Sequence, residues 1–135
     1  MSQKNVEVVQ AAIEAFNRHE FGALEEFCNK DFEFVSVFTA VDTNDATYRG
    51  TKAWTDYAAA MDEMWTDWHV EDIRIFDAGD DRLVCLVRLV GTARLSGVPV
   101  DRPVGLTYRL RNGKLWRVRS YADPSEALKA AGLSE

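Results

Sequence analysis

Cysteine, histidine and proline are all scarce: two, two and three among 135 residues. Cys28 and Cys85 stand far apart and form no CxxC pair, so they signal neither a disulfide framework nor a zinc site. His19 and His69 are equally isolated, and no cluster has metal-ligand spacing. No metal or organic cofactor is expected. No apolar run approaches the ~20 residues that a helix needs to span a bilayer. The opening Met1-Ser2-Gln3-Lys4-Asn5 lacks the apolar core and cleavage site of a signal peptide, which makes a cytoplasmic protein the expectation. Net positive charge is also missing. At −6 the chain disfavours nucleic acid and anionic membranes, both of which attract basic faces. One segment departs from this: Arg109, Arg111, Lys114, Arg117 and Arg119 crowd together, and read as a solvated or subunit-facing strand surface in preference to a polyanion site.

What is present describes a globular domain. Apolar residues make up 47% and charged residues 28%, enough to build a core without staples. No linker, repeat or second domain interrupts residues 1–135. Val6, Val9, Ala12, Ile13 and Phe16 recur at helical spacing and predict a first helix over Asn5 to Phe16. Phe21, Leu24, Phe27 and Cys28 mark a short second one. Asp31 to Phe38 is aromatic and β-branched and predicts a strand. Thr39 to Arg49 reads as irregular. Gly50-Thr51 opens a third helix, with Thr51 as cap and Trp54, Tyr57, Ala58, Met61 and Trp65 on its apolar face. Four antiparallel strands follow, over His69–Asp77, Arg82–Leu95, Val98–Arg111 and Lys114–Tyr121. Asp123-Pro124 then begins a closing helix with Asp123 as its cap.

Register adds detail. Val104, Leu106, Tyr108 and Leu110 alternate with polar residues, as do Trp116 and Val118. Their faces coincide only if the connecting turn holds an odd number of residues, so a three-residue turn with Gly113 left-handed is predicted.

Several motifs carry a resemblance. Gly113-Lys114-Leu115 leads into Tyr121-Ala122-Asp123, then Glu126-Ala127-Leu128 and Ala130-Ala131-Gly132-Leu133. Ala15-Phe16-Asn17 precedes a short helix ending near Asp31, and Gly50 opens the third helix. In these the chain resembles the SnoaL-like members of the nuclear-transport-factor-2-like superfamily. The resemblance implies an α+β fold, a curved, mainly antiparallel sheet wrapped around helices as a cone with an internal pocket. It implies no single activity. The ketosteroid-isomerase acids and tyrosine fall on Ala12, Ser36 and Leu106, and the epoxide-hydrolase Asp-Arg-Asp set on Val90, Arg88 and Ser120. Both activities are therefore expected to be absent. The scytalone-type dehydratases need two pocket histidines, and only His69 sits on a candidate strand. For the aspartate of the polyketide cyclases the candidates are Asp101 and Asp123, the first near a turn and the second a helix cap.

Strand parity combined with the resemblance points Phe34, Ser36, Phe38, Arg88, Val90, Leu106, Tyr108, Trp116, Val118 and Ser120 inward. The third helix adds Trp54, Tyr57, Met61 and Trp65. Aromatic walls with a few polar groups suit a ring-bearing or acyl ligand. Arg88 interrupts the run Leu83 to Val90, apolar on both faces. It reads as a donor to a ligand carboxylate, enolate or carbonyl, as half of an internal ion pair with Glu33 or Asp72 among the candidates, or as a side chain that snorkels to the rim. Arg88 and Tyr108 are the candidate catalytic residues. Ser36, Phe38, Trp54, Tyr57, Met61, Trp65, Arg88, Tyr108, Trp116 and Ser120 are the candidate ligand contacts. The expected function is binding of a small, mostly apolar molecule, with a cofactor-independent cyclase or isomerase activity on a carbonyl ligand as its enzymatic form. The alternative is a non-catalytic assembly domain whose pocket is filled. Under either reading Cys85, Val87 and Leu89 are expected to face outward and form the seam of a homodimer through the outer sheet face.

Overall fold

The computed structural model describes the backbone of residues 2–41 and 44–133, and the side chains of 3–37 and 46–133. In order the elements are α1 (Ser2–Asn17), α2 (Phe21–Glu25), β1 (Cys28–Val41), β2 (Asn44–Arg49), α3 (Ala53–Met64), β3 (Trp65–Gly79), β4 (Arg82–Ala93), β5 (Pro99–Arg111), β6 (Lys114–Tyr121) and α4 (Pro124–Ala130). The six strands form one curved sheet in the order β2-β1-β6-β5-β4-β3. Only β1 and β6 run parallel. The concave side holds α1 and α3. Their apolar faces join inward strand residues in one core containing Val9, Ile13, Phe34, Trp54, Tyr57, Met61, Cys85, Val87, Leu89 and Tyr108.

Several expected boundaries move. Residues 44–49 are a strand that pairs with β1, from Glu33↔Arg49 to Ser36↔Ala46, although their polar composition reads as loop. An edge strand with one solvated face needs few apolar residues, so its sequence signal is weak. The cap of α3 falls at Lys52, not Thr51, and no side chain caps it. Trp65 lies outside that helix, at the start of β3. The closing helix is capped as its sequence predicts: Asp123 accepts from Ser125 N at 3.0 Å, with Pro124 following.

The β5–β6 turn is the clearest correction. Arg111 pairs with Lys114, leaving the two residues Asn112 and Gly113 at φ 54° and 77°, the left-handed pair of a tight hairpin turn. The odd residue is absorbed later. Arg109 pairs with Arg117 but Leu110 with Leu115, so Trp116 is an extra, bulged residue on β6. The bulge turns Leu115 into the core and leaves Trp116 on the other side, half-buried among arginines. The apolar faces do align, by a bulge and not by the turn.

The parity of β4 also reverses. Leu83, Cys85, Val87 and Leu89 belong to the interior core, while Val84 and Leu86 pack on the convex side with Ala127 and Leu128 of α4 and with Ala131 just after it. Both faces of this strand are apolar because both are covered, one by the cone and one by α4. The approach is close: a Cβ on Gly105 would lie 2.5 Å from the Ala127 Cβ. The strip expected to form a subunit seam is therefore interior, and that argument for a homodimer falls away.

Candidate functional site

The concave side of the sheet and the two long helices leave a cavity of about 50 Å³. From α1 come Ala12, Ile13 and Phe16, and from α3 come Trp54 and Tyr57. The sheet supplies Phe34, Val70, Val87, Leu89, Val104, Leu106, Tyr108, Leu115 and Ser120, and Leu24 of α2 completes the wall. Among the described residues this wall carries no Asp, Glu, His, Lys or Arg. The volume is well below the ~300–1,000 Å³ typical of sites for drug-sized ligands.

Rings fill one end. Phe34 stacks on Trp54 at 4.7 Å and meets Tyr57 edge-on at 4.8 Å. Phe16 is the hub on the helix side, 5.3 Å from Trp68, 6.1 Å from Trp54 and 6.3 Å from Tyr57. Asn17 holds the end of α1 against β3 by two hydrogen bonds, donating to Val70 O at 3.0 Å and accepting from Val70 N at 2.9 Å. The helix stripe of α1 thus sits where its last aromatic closes the cavity.

The polar groups at the cavity are hydroxyls. Tyr57 is hydrogen-bonded to Ser36, which is fully buried. Burial raises the Tyr57 phenol far above its ordinary 10.0, and it likewise raises Tyr108, whose neighbours include Cys85 and Tyr57. Both phenols therefore remain protonated donors throughout the physiological range. Ser120 Oγ accepts from Val37 N at 3.0 Å, pinning β1 to β6, so part of its hydrogen-bonding capacity is used by the fold. Neither thiol is poised to react: burial pushes Cys28 and Cys85 up to about 12. Trp54 Nε1 donates to Cys28 Sγ at 3.2 Å, which leaves the indole no free donor.

The expected site residues divide. Trp54, Tyr57, Tyr108 and Ser120 line the cavity, and Ser36 stands behind Tyr57. Met61 and Trp65 line a separate, closed seam with Trp68, Leu89 and Gly91. Trp116 is displaced by its bulge, and the Phe38 side chain lies outside the described residues. Arg88 and Val90 are on the convex face. There Arg88 Nε and Nη2 donate to both oxygens of Asp101 at 2.9 and 2.8 Å, Nη1 donates to Asp72, and Glu71 lies 3.7 Å away. Asp72 belongs to a bulge at φ 54° that brings it beside Glu71 on the same strand. A guanidinium facing an uncharged cavity would be an unpaired buried charge, whereas outside it meets three carboxylates and water. Asp72 was a foreseen partner; Glu33 instead pairs with Arg49 at 3.1 Å. Sequence reading missed Phe16, Val87 and Leu89 as wall residues. The helical stripe gave the first, and the position of Arg88 in an apolar run gives the other two.

Comparisons follow the same line. No curated protein matches the chain with significance. A hypothetical protein with a ketosteroid-isomerase-like fold from Catenulispora acidiphila, solved in complex with trimethylamine, shares 21% identity at TM-score 0.75 over 94% of this chain and 93% of its own. A candidate polyketide cyclase from Xanthomonas campestris gives 21%, 0.75, 96% and 97% in the same terms. An NTF2-like protein of unknown function from Burkholderia pseudomallei gives 16%, 0.78, 93% and 95%. At these identities the likeness is one of fold. The sequence itself goes further: residues 9–118 match the SnoaL-like domain, and the chain belongs to that family.

Proposed function

We propose that the protein binds a small, uncharged, mostly apolar molecule with one hydrogen-bonding group, such as a carbonyl, inside the cone. The observation that carries this reading is the cavity wall: two protonated phenols among apolar side chains, with no charged residue among those described. A charged ligand would lose its hydration there and gain no counter-charge, at a cost of several kcal/mol. A neutral carbonyl would instead accept from the Tyr108 hydroxyl, and its apolar remainder would sit against Phe16, Trp54 and Val87.

The same donor would stabilise negative charge developing on a carbonyl oxygen, which is the contribution the wall makes to any enolate chemistry. Moving a proton to or from carbon needs a base, and neither carboxylate nor imidazole lines the cavity among the described residues. Binding and polarisation are thus the better-supported role, with cyclase or isomerase turnover a further step. The ligand is small, or side chains move aside to admit it. Trimethylamine, held by the Catenulispora protein, is of that scale.

The test is a titration with cyclopentanone followed by Trp54 fluorescence in a Trp65→Phe, Trp68→Phe, Trp116→Phe background, which leaves Trp54 as the one indole of the sequence. Saturable change, weakened about tenfold or more by Tyr108→Phe, supports the reading. Equal binding in Tyr108→Phe removes the phenol from the site. A saturable response to cyclopentanecarboxylate as strong as to the ketone would overturn the neutral-ligand assignment.

A further inference from the structure

The bulge that turns Trp116 out of the core creates a second feature on the convex face. Arg111, Arg117 and Arg109 surround its ring, with guanidinium carbons 3.7, 4.3 and 5.5 Å from the centroid. Arg109 and Arg117 are directly opposite in the β5–β6 ladder, where like charges repel. Stacking on the indole offsets part of that repulsion and holds the planar groups in place. Beside them runs an open groove of about 470 Å³ along the start of β1. Its cations are Lys30, Arg49, Arg111 and Arg117, and its acids are Asp31 and Glu33.

The charges do not balance. Glu33 is shared by Arg49 at 3.1 Å and Arg117 at 3.8 Å. Lys30, Arg109 and Arg111 have no carboxylate within salt-bridge distance among the described residues. The buried indole N–H of Trp116 has no acceptor either. Elsewhere on the same face the sequence does supply acids to an arginine, since Arg88 has three. An excess of fixed guanidinium forks, in a chain of net charge −6, is an arrangement that accepts oxyanions in pairs.

We propose that this groove is a binding site for a small polyanion carrying phosphate or diphosphate groups, separate from the cavity. Arg111 supplies the uncommitted fork of the groove wall, Arg109 adds a second from beside the same indole just outside that wall, Arg117 is held in place by donating to Asp31 O at 2.7 Å, and Lys30 lines the groove as a point charge. The acidity of the rest of the surface turns away long polyanions, so the occupant is a small molecule and not a nucleic acid.

The experiment uses the whole chain and inorganic pyrophosphate, followed by titration calorimetry at low ionic strength. Binding tighter than about 1 mM is expected. It should weaken about tenfold or more in the Arg109→Gln, Arg111→Gln double variant, whose positions are exposed and outside the core. Glu33→Gln should tighten it by freeing Arg117 and Arg49, a gain that a merely structural role would not produce. Arg18→Gln, just after α1, should leave it unchanged. No binding at about 10 mM, or equal binding in the double variant, would overturn the site. Citrate bound as tightly as pyrophosphate would overturn the phosphate assignment.

Discussion

The concave and convex faces of the sheet use the same strands for opposite purposes. On β4, the inward residues Val87 and Leu89 meet a wall without charge, while Arg88 between them meets three carboxylates outside. On β5 and β6, Tyr108 and Val118 face inward, and Arg109 and Arg117, one step along each strand, crowd the outside. Alternation sorts the charge almost completely. The inner face is left with hydroxyls, which hold a ligand without attracting ions. The outer face collects the electrostatics, with carboxylates in excess around Arg88 and arginines in excess around Trp116.

The comparison breaks most easily by moving a charge across it. Val87→Glu places a carboxylate in the apolar core beside the cavity, at a cost of about 3–5 kcal/mol. That approaches the whole stability of a small domain, so thermal melting should show a largely unfolded chain. A folded variant that merely changes its oligomeric state would instead mean that Val87 faces outward. Next comes Gly105→Val, which drives a side chain into Ala127 and Pro124 of α4. A loss of about 1–3 kcal/mol in chemical denaturation is expected, with ketone binding in the cavity unchanged.

Arg88→Leu tests the convex face alone. Its partners are exposed, so the loss in melting temperature should be small beside that of Val87→Glu, and cavity binding should be untouched. A pH series sharpens the contrast. The Arg88 hydrogen bonds hold Asp101 below its ordinary 3.8, so that contribution is present above about pH 4 and is lost as pH falls through the depressed value. The Glu71 hydrogen bond raises His69 above 6.5, so its contribution is present below that pH and is lost as pH rises through the raised value. Arg88→Leu should flatten the acid limb of the stability curve. Glu71→Gln should lower the His69 titration, followed by NMR, while the Asp67 carbonyl still supports the charged ring. Tyr108→Phe should alter neither limb.

The resemblance and the helical stripes made the fold legible before any coordinates. The cone, the order of its main elements and the Asp123 cap were all readable. Inner hydroxyls were readable too, because Tyr108 alternates cleanly with polar neighbours. What failed were the places where alternation carries no information. In β4 both faces are apolar, since α4 returns to cover the outside, and periodicity alone could not choose between odd and even residues. The single arginine holds the answer: beside an uncharged cavity a guanidinium has no partner, so its residues mark the outside. In β6 the turn and the bulge both restore the apolar face, and a sequence cannot say which inserts the extra residue. β2 escaped notice because an edge strand needs so little apolar surface.

An uncharged interior should favour neutral ligands, and a matched pair of probes addresses this directly. Cyclopentanone and cyclopentanecarboxylate share a ring and differ in charge. With Trp54 fluorescence as the readout, the ketone should bind saturably and the carboxylate about tenfold more weakly or not at all, from pH 6 to pH 9, since Tyr57 and Tyr108 stay protonated across that range. Carboxylate binding at Trp54 equal to or tighter than that of the ketone would contradict it.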